Sequence, residues 1–118
     1  MYFNMTIEQL ILQAIDKCMA NADSEQKRIY CWMKAVLQYP DIEHYISEVK
    51  SAIIGIDKVS TLSVNKAIEF IESNNEYLIR CQNISNEDKE DMVSKEKIRL
   101  QEVRVRILGV LQYFGMLK

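Results

Sequence analysis

One histidine and three cysteines come nearest, among the residues of this 118-residue chain, to side chains that could do covalent chemistry. His44 is the only group whose ordinary pKa lies near neutrality. Paired with Cys18 or Cys31 it makes the one nucleophile arrangement that can be assembled from the sequence. Neither half is well placed for that role. Cys18 and Cys31 lie in or beside apolar helical stripes, where burial raises the pKa of a thiol and blunts it. His44 stands between Glu43 and Tyr45 near the Tyr39-Pro40 corner, a position suited to a surface or capping histidine.

Cys18, Cys31 and Cys81 are odd in number and widely spaced, without a C-x-x-C pair. They read as small buried hydrophobes in a reducing compartment. A lone histidine without partner spacing argues against a metal centre. The three isolated glycines, Gly55, Gly109 and Gly115, cannot make a phosphate-cradling loop. No catalytic residue, cofactor or metal ligand is therefore expected, and the chain is not expected to be an enzyme; a thiol enzyme or redox sensor is kept as an alternative.

Two other sets of residues suit recognition. Tyr30, Trp32, Tyr39 and Tyr45 gather with Met33 around one helix corner. Most of such a set belongs in a core, but tyrosine is also enriched where partners bind tightly. Tyr30 and Tyr39 fall off the main stripe of their helix, so Tyr30, Tyr39 and Tyr45 are the candidate partner-binding aromatics. Near the C-terminal end, residues 93–118 carry six bases and two acids, whereas residues 1–92 carry nine bases and 15 acids. Arg99, Arg104 and Arg106 are the candidate partner-binding cations of that basic stretch. Together with Lys95 and Lys97 they wrap around a helix instead of lining one groove. That suits a solvated face, paired with Glu96 and Glu102, better than a phosphate-tracking strip.

The elements that would position these residues are helices. Three glycines and one proline leave few interruptions. Ile7, Leu10, Ile11, Ala14, Ile15 and Cys18 share one helical face, and Thr6 with Gln9 makes a capping box ahead of it. A second helix follows from about Ser24, with Ile29, Trp32, Met33, Val36 and Leu37 as its stripe, and must end before Pro40. Asp41 would cap a third, through Ile53, closed by Gly55. After a loop over residues 57–62, Ser63 begins a fourth helix. The polar run Ser73-Asn74-Asn75-Glu76 either breaks it or lies on a continuous helix with Asn75 turned into a weak spot; continuity is preferred because Ile71, Leu78 and Cys81 stay in phase.

Ser85 begins the last and longest helix, with Glu87, Asp88, Glu90 and Asp91 where acids complement the helix dipole. Leu100, Val103, Ile107, Val110, Phe114 and Leu117 then recur at alternating spacings of three and four. That is the seam of a coiled coil, and these six residues are the candidate oligomer interface. Val105, Leu108 and Leu111 widen the apolar surface further. Gly109 and Gly115 fall inside this helix at a cost of about 1 kcal/mol each against alanine.

The expectation is an all-α protein: a compact bundle of four to five helices with a long C-terminal helix, forming one domain over residues 1–118. Apolar residues at 48% and charged residues at 27% fit a globular core. The net charge of −2 offers no bulk attraction to nucleic acid or to an anionic membrane. The start, Met1-Tyr2-Phe3-Asn4, shows no basic and apolar leader, and no stretch is apolar enough to span a bilayer. A cytoplasmic location follows, and the wealth of Ile, Asn and Lys suits a bacterial or phage protein. The function expected is a small protein-binding module: a regulator, an inhibitor of the immunity type, or an assembly subunit. It would occupy a surface of another protein, with a homodimer through the C-terminal helix as a further expectation. A nucleic-acid-binding regulator using the basic C-terminal helix is the alternative.

Overall fold

The computed structural model describes residues 6–38 and 58–118. Within them lie four helices: α1 (Ile7–Met19), α2 (Ser24–Gln38), α3 (Thr61–Arg80) and α4 (Asn86–Tyr113). The class is all-α. The expected helix from Asp41 to Ile53, and Gly55 after it, fall outside the described residues. Among the described residues no helix is long and apolar enough to cross a membrane.

Local chemistry accounts for most of the helix starts. The Thr6 hydroxyl accepts from the Gln9 amide at 3.1 Å while the Gln9 side chain accepts from the Thr6 amide at 2.9 Å. Two of the donors that a helix N-terminus leaves unpaired are thereby satisfied. Asp23 does the same for α2, accepting from the Gln26 amide at 2.8 Å. For α4 the cap is Ser85, which accepts from the Asp88 amide. The α3 cap is Ser60 and not Ser63, so the preceding loop is shorter than expected. Ser63 is drawn into tertiary work instead: its hydroxyl donates to Glu25 of α2 at 2.9 Å. The run Ser73–Glu76 stays helical, and Asn75 is fully buried.

The end of α4 differs from its expected course through Leu117. Gly115 adopts φ +66°, the left-handed region that stops a helix. The Met116 amide then donates back to the Leu111 carbonyl at 2.7 Å and the Gly115 amide to the Gln112 carbonyl at 3.0 Å. These two bonds form a Schellman motif, with Met116 buried against the core. Beyond it the chain runs alongside Val59: the Val59 amide donates to the Met116 carbonyl, and the Lys118 amide to the Val59 carbonyl, each at 2.9 Å.

The core lies where α1, α2 and α3 converge on α4. Ile11, Ile15, Ile29, Trp32, Met33, Ile71, Leu100 and Ile107 are its buried centre. A smaller cluster of Leu10, Ile79 and Val93 closes the far end, where α1 meets the turn between α3 and α4. That turn is cross-linked as well: Arg80 pairs with Glu90 at 2.6 Å, and Lys89 donates to the Arg80 carbonyl at 2.9 Å.

The two glycines of the C-terminal region predict opposite responses to alanine. At Gly109 a Cβ would meet nothing within 4 Å on an exposed helix face. Gly109→Ala should raise the unfolding free energy by up to about 1 kcal/mol in urea titration. Gly115→Ala forces a side chain into the left-handed region and should lower it by about 1–2 kcal/mol.

Candidate functional site

Four members of the apolar seam on α4 are already occupied. Leu100, Val103, Ile107 and Val110 are buried by the other three helices, and Phe114 and Leu117 are half-buried against the same core. The seam is turned inward, because α4 is the wall that α1, α2 and α3 pack against. The outer stripe of α4 that remains exposed comprises Ile98, Val105 and Tyr113. Ile107→Ala should accordingly cost 2–5 kcal/mol of stability, by the same amount at low and high protein concentration in denaturation curves. A dimer interface would make the loss concentration-dependent.

The arginines are placed unequally. Arg99 pairs with Glu8 of α1 at 3.1 Å, a contact lacking hydrogen-bond alignment, and with Glu102 at 2.7 Å. Arg104 donates to Asn65 of α3 at 2.6 Å. Both thus tie α4 to its neighbours. Arg106 is half-buried and has no ion pair among the described residues.

Tyr30 is fully buried, contrary to its expected place on a partner-facing patch. Because α2 packs against α1, α3 and α4, its covered arc is wider than one stripe and takes in the position next to Ile29. Tyr39, Tyr45 and His44 lie outside the described residues. The cysteines also depart from expectation: Cys18 is half-buried, while Cys31 and Cys81 are exposed. Cys31 stands on the opposite side of α2 from Ile29 and Met33, and Cys81 is the α3 C-cap. Among the described residues no three His, Cys, Asp or Glu side chains are grouped to hold a metal.

What the structure adds is a groove of about 540 Å³ between the end of α1, the start of α2 and the outer side of α3. Its volume lies within the range of about 300–1,000 Å³ common to ligand clefts. Phe70 and Tyr77 stand along it, seven residues apart and so on one side of α3, 51% and 73% exposed. Tyr30 and Asn74 form part of its lining, and Lys17 and Cys18 flank it from α1. The Tyr30 hydroxyl is sealed from solvent against the Cys18 sulfur, and the buried Asn74 carbonyl oxygen has no hydrogen-bond partner. Burial, reinforced by the facing Cys18 thiol, pushes the Tyr30 phenol upward, so it is a neutral donor at physiological pH. A buried acceptor left unpaired, as at Asn74, costs about 1–3 kcal/mol.

A second polar pair lies under the α3–α4 contact. Glu96 is 2% exposed, and Asn75 of α3 faces it. Desolvation, with Glu72 and Glu76 nearby, raises the Glu96 carboxyl to about 8; Asn75 and Lys97 oppose the shift. One carboxyl oxygen and both amide atoms of Asn75 make no aligned hydrogen bond. The carboxyl is thus mostly protonated at neutral pH. The sign follows: the unfolded chain releases this proton near 4.5 and the folded chain near 8. Stability is full at low pH and falls as pH rises through that window, by up to about 1.4 kcal/mol per unit. In urea titrations from pH 5 to 8, Glu96→Gln should remove that decline and gain on the wild type most at pH 8.

The signal for this pair was present in the spacing. Val93 and Glu96 continue the three-and-four recurrence of Leu100 and Val103 backwards, and Asn75 continues Ile68 and Ile71. The groove left a fainter trace, two aromatic residues seven apart on a polar face. Comparison with protein-family models, with curated proteins and with solved structures gives no match to this chain.

Proposed function

We propose that the protein is a small binding module that acts by engaging a surface of another protein, and that the groove beside Phe70 and Tyr77 is where it does so. The observation that carries this reading is the pair of exposed aromatic rings along the groove. Large aromatic side chains next to a cleft are the residues most able to anchor a partner. A regulator, an inhibitor or an assembly subunit would each work in this way.

Other features support binding over the alternatives. Arg99, Arg104 and Lys95 are engaged within the chain, Lys95 with Asp91 at 2.9 Å, which breaks up the basic stretch as a phosphate-contacting strip. Cys18 faces a phenol, which is not a base able to activate a thiol at neutral pH.

The groove reading is tested by replacing both rings. Phe70→Ala with Tyr77→Ala should leave the fold intact, since both side chains are exposed. Used beside the wild type as bait in extracts of the source cells, the double variant should lose the captured partner. The affinity of that purified partner should fall at least about tenfold. Equal capture and equal affinity would remove the groove from the function.

A further inference from the structure

The outer side of α4 carries a stripe of its own, on a different helix from the two rings of the groove. Ile98, Glu102, Val105, Gly109 and Tyr113 follow one another at spacings of four, three, four and four. That places all five on one face of the helix, over about 22 Å. The face is opposite the core seam and every one of the five is exposed, Ile98 at 64%, Val105 at 57% and Tyr113 at 75%. Phe114 meets the Tyr113 ring edge-on, with 5.0 Å between centroids, and steadies it at the end of the stripe. At Gly109 the surface dips. A Cβ there would meet nothing within 4 Å, so no packing inside the chain accounts for a glycine that weakens the helix.

The order of side-chain bulk along this face reads alike from both ends. Turned end for end about a point beside Val105, Ile98 falls on Tyr113, Glu102 falls on Gly109, and Val105 falls beside itself. A large aliphatic group then meets an aromatic ring, a long side chain passes over the dip, and two small branched side chains meet at the centre. Complementarity of a surface with itself under a two-fold rotation is what an isologous contact requires. An unrelated partner makes no such demand on the sequence. Charge agrees with a second copy as the occupant. Lys95 is paired with Asp91, and Arg99 with Glu8 and Glu102, so the strip as a whole is close to neutral and two copies do not repel. Arg106 is the cation left over among the described residues. It lies three residues before Gly109, where the Glu102 of a second copy would pass.

We infer that two copies of this chain pair through the outer face of α4, antiparallel about a two-fold axis beside Val105, with Ile98 against the partner's Tyr113 and Glu102 over the partner's Gly109. Burial of Ile98, Val105 and Tyr113 supplies most of the free energy. The glycine lets the two backbones approach closely, and Glu102 reaches the partner's Arg106 while keeping Arg99, since a carboxylate can accept from both. One helix from each copy makes a small contact, so the dimer is weak and exchanges readily with monomer.

Sedimentation equilibrium of the full chain, from micromolar to millimolar concentration, is the direct test. A reversible monomer–dimer equilibrium is expected. Val105→Glu sets two carboxylates together at the axis and should weaken association at least about tenfold. Gly109→Leu fills the dip with a good helix former, so it should unfold at a higher temperature than the wild type and yet also associate at least about tenfold more weakly. Glu102→Arg should weaken association several-fold, and adding Arg106→Glu should restore it. The Phe70→Ala, Tyr77→Ala double variant, altered only on α3, should associate as the wild type does, so this inference and the groove reading stand or fall separately. A chain that stays monomeric at millimolar concentration overturns the pairing. A dimer indifferent to Val105→Glu uses another face and overturns it too. Loss with Val105→Glu but no response to Gly109→Leu or to the charge exchange overturns the antiparallel arrangement. All the substituted positions are exposed or half-buried, and circular dichroism of each variant separates lost pairing from lost folding.

Discussion

The burial of α4 along its whole apolar seam is the constraint from which the rest of this architecture follows. Leu100, Val103, Ile107 and Val110 serve as a common wall for α1, α2 and α3. None of the three would be expected to hold its shape alone, because short helices in water are marginal without a packed face. The wall also sets which surfaces remain outside. Once the seam is turned inward, Ile98, Val105 and Tyr113 fall on the opposite side of α4, and Phe70 and Tyr77 on the side of α3 away from it.

Two polar residues sit in phase with that apolar seam and its counterpart on α3. Glu96 and Asn75 meet where a leucine and an isoleucine would have packed more cheaply. In helical pairs such a polar meeting point selects one register and one orientation at a cost in stability. Here it disfavours sliding of α3 along α4, since a shift in either direction would set the carboxyl or the amide against hydrocarbon alone.

How much of this was legible in the sequence depended on how local the determining chemistry was. The Thr6–Gln9 box and the Ser85 cap are made within four residues, and both were readable. Continuity through Ser73–Glu76 was readable from phase alone. Ser60 and Ser63 are both competent caps three residues apart, and only contact with Glu25 assigns Ser63 another task. Tyr30 was misplaced because a stripe on a helical wheel says nothing of how many neighbours the helix has. The seam of α4 was recognised as a buried surface, but periodicity does not tell whether the cover comes from the same chain or another. Glu96 was read as a solvated charge because its type outweighed its phase. The groove left only the seven-residue spacing of Phe70 and Tyr77 in the sequence, since its shape exists only where α1, α2 and α3 fail to cover one another.

The strand-like pairing of Val59 with the residues after α4 gives the α3–α4 hairpin a second closure. Arg80, Glu90 and Lys89 fasten one end of it, and the Val59, Met116 and Lys118 backbone fastens the other. The hairpin is in effect a circuit without a loose end, so peeling cannot begin at either terminus of the pair. Backbone amides along both helices would then surrender their protons to solvent together, in one concerted opening, instead of in a gradient from tip to base.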